Sequence, residues 1–330
     1  MAAVTILGAG AWGTALAVVL ARRGHVVKLA PRRQSQLAAL RHDRENRAYL
    51  SAVPFPPELR LAELSTSSVR DAEAVVMAIP SGFARATLAP VAPAIPPGAL
   101  VISVSKGIEQ DSLRTMSQML DELAPSADRI AVLSGPGFAA EIARGKPAAL
   151  VAAAHSEAVA LRVQTLFAAR PLRVYRSLDV MGVELGGASK NVIAVAAGIS
   201  DGLALGSGAR AALITRGLAE MMRLARAAGA KQETLAGLAG LGDLVLTSTG
   251  DLSRNRRLGL ALGRGERISL PADGGSIAEG VSNARAIVRL AERRGVEMPI
   301  SSAVYRVLYE AAPPGAMVEE LLSRELKAEF

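Results

Sequence analysis

The chain has no cysteine among its 330 residues. Disulfides, thiolate metal sites and thiol nucleophiles are therefore excluded, and the composition fits a reducing, cytoplasmic setting. Aromatic residues are scarce too: one Trp, four Tyr and five Phe make up 3 % of the sequence. The core must rest on Ala, Leu, Val and Ile, which favours helices and buried parallel strands over an aromatic-rich β-sandwich. Acids number 30 against 38 Lys and Arg, for a net charge of +8. These cations are interleaved with acids and few rings are present to stack on bases, so no nucleic acid is expected and small anionic ligands are favoured. Residues Met1 to Ala21 carry no side-chain charge. They do not read as a signal peptide, because Arg22 and Arg23 follow the apolar run instead of preceding it. Gly8, Gly10 and Gly13 interrupt what a membrane helix would keep continuous, so no stable membrane insertion is expected.

Half of the residues are hydrophobic, enough for a sizeable core, and the length allows two domains. The expected class is α/β: a Rossmann-type doubly wound N-terminal domain over 1–178, then an all-α C-terminal domain over 179–330. Ala3–Leu7 is a short β-branched apolar run, followed at once by Gly8-Ala-Gly-Ala-Trp-Gly13 and an apolar helical stretch, Thr14 to Arg23. In such a strand–turn–helix Gly8 permits the tight turn and Gly10 lets backbone approach a pyrophosphate. Gly13 allows close helix–strand packing, and the helix N-terminus offers N–H donors to the phosphates. Gly24 ends the helix and His25–Leu29 reads as the second strand. An acid after that strand would bind a ribose 2′-hydroxyl, whereas arginine accommodates a 2′-phosphate. Here Arg32 and Arg33 follow, and no acid occurs until Asp43, which favours NADPH over NADH.

Further strands are expected at Ala74–Ile79, Ala99–Val104, Ile130–Leu133 and Ala148–Ala153, all in an open parallel sheet. Loops are expected at Pro80-Ser81-Gly82, Ser105-Lys106-Gly107 and Ser134-Gly135-Pro136-Gly137. Ligands of such sheets lie beyond the carboxyl ends of the strands, which puts Lys106 where an anion would be met.

From about Asp179 helical patterns take over: Val183–Ala197, Ala209–Ala228, Ala284–Arg294, Ser302–Tyr309 and Val318–Lys327. Lys190 and Asn191 stand side by side after Gly186 and Gly187 in an apolar helix. A lysine in such surroundings needs a partner or a shifted pKa, and a lysine of lowered pKa can move protons. Asp243, closing Gly240-Leu-Gly-Asp243, is a carboxylate that could pair with it. Ser253 reads as an N-cap that puts Arg254 and Asn255 in the first turn of a helix running to Leu262. Cations there oppose the helix dipole unless an anion shares the site, so a phosphate pocket is expected.

The chain as a whole resembles the bacterial NAD(P)-dependent glycerol-3-phosphate dehydrogenases. The resemblance rests on Gly8–Ala17, Ser105-Lys-Gly107, Ser134-Gly-Pro-Gly-Phe-Ala139 and Gly182–Val192. It continues through Ala212-Leu-Ile-Thr-Arg-Gly-Leu-Ala-Glu-Met221, Gly237–Thr247, Ser253-Arg-Asn-Arg-Arg257 and Glu279-Gly280. It implies reversible reduction of dihydroxyacetone phosphate to sn-glycerol 3-phosphate, the backbone precursor of phospholipids. By the same resemblance Lys190 is the acid/base, and Lys106, Gly135, Lys190, Asp243, Ser253, Arg254 and Asn255 bind substrate. Cofactor contacts fall on Ala11, Trp12, Arg32, Arg33, Lys106, Ala139, Arg254, Ile277 and Glu279, beside the fingerprint glycines Gly8, Gly10 and Gly13. No metal is implied, and a homodimer is compatible with it. Three positions depart from the family pattern: Ala11 stands for a serine, Gly137 for Ser or Thr, and Ser248 for a common cysteine. Two rival readings are a Rossmann/helical dehydrogenase of a 3-hydroxy acid, which gives no reason for Ser253-Arg-Asn, and a nucleotide-sensing module without turnover.

Overall fold

The computed structural model describes residues 1–124, 127–170, 172–266, 268, 278–326, 328 and 329. In the N-terminal half the strands are β1 (Ala3–Leu7), β2 (Val26–Ala30), β3 (Glu45–Asn46), β4 (Leu50–Pro54) and β5 (Arg60–Leu61). They continue as β6 (Ala74–Met77), β7 (Leu100–Ser103), β8 (Ile130–Ser134), β9 (Ala148–Ala154) and β10 (Leu172–Ser177). Between them run α1 (Ala11–Arg22), α2 (Gln34–Asp43), α3 (Thr66–Val69), α4 (Ser81–Leu88), α5 (Met116–Leu123), α6 (Ala139–Ala143) and α7 (Glu157–Phe167).

Eight strands form one sheet in the order β10-β9-β8-β7-β6-β1-β2-β5, and β3 and β4 make a separate antiparallel pair. Both faces are covered. Val4, Ile6, Val76 and Ile102 pack on one side with α1, and Leu7, Val75, Met77 and Val101 on the other with α4 and α5. Strands buried on both faces read as continuous apolar runs, which is why these runs were legible. The chain leaves β1 for β2 on one side and returns to β6 on the other. That reversal opens a crevice beyond β1, at the place where the glycine turn lies.

Several expectations need correction. The sheet is mixed, because β9 runs antiparallel to β8. An antiparallel neighbour needs no helical crossover, and only α6 lies between the two. The edge strand β10 has alternating buried and exposed positions, unlike the apolar runs read as strands, and was not foreseen. Pro80-Ser81-Gly82 is a helix start, since α4 begins at Ser81.

The C-terminal half is helical among the described residues. It comprises α8 (Val180–Gly202), α9 (Gly206–Ala227), α10 (Gln232–Ala236), a five-residue π-helical turn (Leu238–Gly242), α11 (Asp243–Thr249) and α12 (Arg254–Gly263). It ends with α13 (Glu279–Arg294), α14 (Pro299–Tyr309) and α15 (Pro314–Leu322). The last helix therefore starts and ends earlier than the expected Val318–Lys327, where Pro314 supplies an N-terminal proline.

Helix α8 is the axis of this half, with 20 of its 23 residues buried. Its apolar surface meets α9, α13 and α14. Its partner α12 comes closer still, by glycine. A Cβ at Gly198 would land on the Arg256 carbonyl, and one at Gly259 on the carbonyl of Val195. Gly202 and Gly263 repeat the contact one turn on. This crossing brings the first turn of α12 alongside Asn191. A second tie crosses between the halves: the buried Glu184 carboxylate accepts from the Ser117 N–H at 2.7 Å and hydroxyl at 2.5 Å, capping α5.

Candidate active site

The crevice beyond β1 is a cleft between the two halves. Gly8 has φ +104°, open to glycine, and any Cβ there would strike the Ala78 carbonyl. Helix α1 starts at Ala11 with Gly10 as its N-cap, no side-chain cap and no acid in its first turn. Its leading N–H groups are thus left for an acceptor from outside. A Cβ at Gly13 would collide with the Gly8 carbonyl, so the third glycine sets the helix directly on the strand turn. Two amides brace this turn: Gln36 donates to the Ala9 carbonyl at 2.7 Å, and Asn46 donates to it at 3.0 Å and to Thr14 Oγ1 at 2.7 Å.

Gly8, Gly10, Ala11, Trp12, Gly13, Arg32, Arg33, Arg254 and Glu279 all line this one cleft, with Tyr49, Phe83 and Ser105. The Arg32 guanidinium lies 4.6 Å from the centre of the Phe83 ring, a stacked arrangement that presents its N–H edges sideways. Three arginines, an uncapped helix start and a glycine turn form a donor set suited to a dinucleotide with an added phosphate. The residues present fit that group. Ala139 stands at the start of α6, packed against the N-terminal core as Trp12 is. Ile277 falls outside the described residues.

Deeper in, charges from both halves meet. Asp243, at the head of α11, is 1 % exposed, and Lys190 on α8 is 6 % exposed. Lys190 Nζ stands 3.0 Å from Asp243 Oδ1 and donates to Thr247 Oγ1 at 2.7 Å. Lys106 Nζ, reaching in from the loop after β7, donates to Asp243 Oδ2 at 2.6 Å and to the Gly135 carbonyl at 3.0 Å. Thr247 closes the array by donating to Asp243 Oδ1 at 3.2 Å.

The two helix glycines make room for this meeting. A Cβ on Gly186 would sit 2.7 Å from the Ala239 carbonyl, and one on Gly187 would crowd Ser134 Oγ and the Lys106 stem. Gly135 has φ +133°, which aims its carbonyl where Lys106 can donate to it.

Burial lowers the Lys190 pKa from 10.5 to about 8, with Lys106 repulsion adding to it, while Asp243 and Glu279 act in the opposite direction. Burial pushes the Asp243 carboxyl up, but Lys106 and Lys190 outweigh it and hold it below its ordinary value. A carboxylate that stays ionised thus orients a lysine able to exchange protons near neutrality.

Ser253 and Asn255 are turned toward protein. Ser253 Oγ caps α12 by accepting from the Arg256 N–H at 3.2 Å. Asn255 donates to Asn191 Oδ1 at 2.7 Å and accepts from the Gly280 N–H at 2.9 Å, joining α12, α8 and α13. Asn191 Nδ2 also reaches Glu279 Oε2 at 3.4 Å. Of the expected phosphate trio, only Arg254 lines the cleft. Sequence reading missed Thr247, although its i+4 spacing from Asp243 was a usable signal. It also gave no role to Phe83, Tyr49 and Gln36, whose place in the cleft depends on tertiary packing.

Comparison with known proteins establishes the family. The family model described as NAD-dependent glycerol-3-phosphate dehydrogenase N-terminus matches residues 3–160, and its C-terminus counterpart matches 179–319. A glycerol-3-phosphate dehydrogenase [NAD(P)+] of Geobacter sp. (strain M21) is 47 % identical over 329 residues, covering 99 % of this chain and 98 % of the relative. One from Thioalkalivibrio sulfidiphilus is 49 % identical over 328 residues, with 99 % and 98 % covered. The crystal structure of glycerol-3-phosphate dehydrogenase from Coxiella burnetii superposes with a TM-score of 0.92 at 39 % identity, covering 98 % of this chain and 99 % of that one. The chain belongs to the NAD-dependent glycerol-3-phosphate dehydrogenase family.

Proposed function

We propose that this chain reduces dihydroxyacetone phosphate to sn-glycerol 3-phosphate with a nicotinamide dinucleotide, and catalyses the reverse reaction. The observation that carries the reading is the buried Lys106–Asp243–Lys190 array beside a dinucleotide cleft, with Lys106 Nζ 5.7 Å from the centre of the Trp12 ring that lines it. Residues 1–178 are the cofactor half and 179–330 the substrate half, and the reaction takes place where they face each other in the cytoplasm.

When bound, the dinucleotide supplies the hydride received by the C2 carbonyl carbon. Lys190 gives its proton to the oxygen at C2 as negative charge develops there, and takes it back in the oxidation direction. Asp243 holds Lys190 in register, and Lys106 holds Asp243 from its other oxygen. Arg254 grips the anion remote from the reacting carbon, so binding energy there goes into positioning. Arg32 and Arg33 receive the 2′-phosphate of NADPH, which makes it the preferred cofactor and NADH the weaker one.

The test is steady-state NADPH oxidation with dihydroxyacetone phosphate, and with unphosphorylated dihydroxyacetone as the control. Rapid oxidation that needs the phosphate is expected. Tight NADPH binding with no turnover would make the chain a nucleotide-sensing module. Equal turnover of both ketones would remove the phosphate grip from the account.

A further inference from the structure

Asn283 on α13 is 0 % exposed and carries no charge, yet its amide spans both halves of the protein. Its Nδ2 donates to the Lys106 carbonyl at 2.9 Å and to the Ala188 carbonyl at 3.2 Å. The first carbonyl belongs to the loop after β7, and the second lies on α8 two residues before Lys190. Both amide protons are spent, while Asn283 Oδ1 is buried without a hydrogen-bond partner. An apolar residue would avoid that orphaned oxygen, so the two donors are what this position uses.

The loop approaches α13 unusually closely. A Cβ at Gly107 would lie 2.8 Å from Asn283 Oδ1 and would collide with Ser81 Oγ, which accounts for the glycine of Ser105-Lys106-Gly107. Two further bonds hold the loop to the same helix. Gln110 Nε2 donates to the Ser282 carbonyl at 2.8 Å, and Arg289 donates to the Gln110 carbonyl at 2.7 Å.

We infer that Asn283 is a positioning residue for the proton-transfer site, fixing the Lys106 main chain against α8 so that Lys106 and Lys190 share Asp243. The inference rests on the reading of Lys190 as the acid. The charged groups acting on the Lys190 amine are Asp243 from α11, Lys106 from the β7 loop and Glu279 from α13. Of these, Lys106 alone opposes protonation. If its main chain is released, repulsion on Lys190 weakens, and Asp243 is left more fully to Lys190. Both changes raise the Lys190 pKa, and the alkaline limb of reduction moves to higher pH.

The experiment compares kcat across pH for dihydroxyacetone phosphate reduction in the wild type, Asn283→Leu, Asn283→Ser and Lys190→Met, with NADPH affinity and Tm measured alongside. For Asn283→Leu, kcat should fall about tenfold or more, and the limb should rise by about half a pH unit or more. Asn283→Ser keeps one donor and removes little volume, so it should show a smaller shift of the same sign. It carries the test if Asn283→Leu does not fold. A packing defect would lower Tm and yield of active enzyme without moving the limb. A limb that disappears in Lys190→Met but stays in place in the Asn283 variants overturns the inference alone. One that survives in Lys190→Met refutes the acid assignment and the inference with it.

Discussion

Lys190 and Asp243 come from different helices, are almost wholly buried, and meet at 3.0 Å. A buried ion pair is weak grounds for stability, because desolvating both partners offsets much of their attraction. Under the proposed function the pair holds a proton at a chosen affinity. Burial alone would make Lys190 too weak a proton carrier in its charged form, and Asp243 restores enough of it for use near neutrality.

Asp243→Asn should therefore shift the pH dependence in a defined direction. With Lys190 as the proposed acid, wild-type reduction needs it protonated, so it should be supported below a pKa of about 8 and lost as pH rises through it. Oxidation needs the neutral amine and should rise over the same interval. Removing the Asp243 charge leaves burial and Lys106, both lowering, against Glu279 alone, so the limb for reduction should move to lower pH. A kcat profile with the limb unmoved or shifted upward would disconnect Asp243 from the proton.

Arg254→Ala should lower kcat/KM for dihydroxyacetone phosphate by about 2–4 kcal/mol in transition-state terms, through loss of a charge-assisted phosphate contact in a shielded site. Because Arg254 lines the cofactor cleft, NADPH affinity should fall as well. The loss should be much smaller with unphosphorylated dihydroxyacetone. Equal losses on the two ketones would assign the residue to the cofactor or to the fold.

Changing Arg32 and Arg33 together to alanine should erase most of the preference for NADPH. One partly exposed arginine–phosphate contact supplies about 1–3 kcal/mol, hence a wild-type preference of roughly 5- to 150-fold in kcat/KM. NADH turnover should hardly change, since NADH has no 2′-phosphate to lose. Equal kcat/KM for the two cofactors in the wild type would contradict the assignment.

Gly259→Ala tests the helix crossing that carries Arg254 into the cleft. Its Cβ would meet the Val195 carbonyl and lie 2.8 Å from the Ile199 N–H nitrogen, both backbone and unable to step aside. Overpacking of this kind costs about 1–3 kcal/mol, which calorimetry would record as a lowered Tm. Unchanged Tm with full activity would show that α8 and α12 can part without consequence.

The sequence was most readable where one residue type answers one local need. The β-branched run before Gly8, the three glycines and the two arginines after β2 each stated their place in the fold, because a buried strand, a tight strand-to-helix turn and a strand end at a cleft have local requirements. Ser253 was legible as an N-cap for the same reason. The partnership of Lys190 with Asp243 was legible as chemistry, though not as geometry, since 53 positions separate them. Lys106 joining them from the other half, Asn255 being spent on Asn191 and Gly280, and Phe83 lying under Arg32 arise from the packing of distant elements. Gly198, Gly202, Gly259 and Gly263 did carry a signal, two pairs spaced four apart, but only the crossing of α8 and α12 gives it meaning. β9 was expected as a strand, but its antiparallel direction escaped notice because strand direction leaves no mark on a short apolar run.

The most direct test is the turnover of Lys190→Met with NADPH and dihydroxyacetone phosphate, measured together with its NADPH dissociation constant. Turnover should fall by about two to four powers of ten, the usual weight of general acid catalysis, with cofactor affinity nearly unchanged. Near wild-type turnover would contradict the account and move the acid elsewhere, with Lys106 next in line.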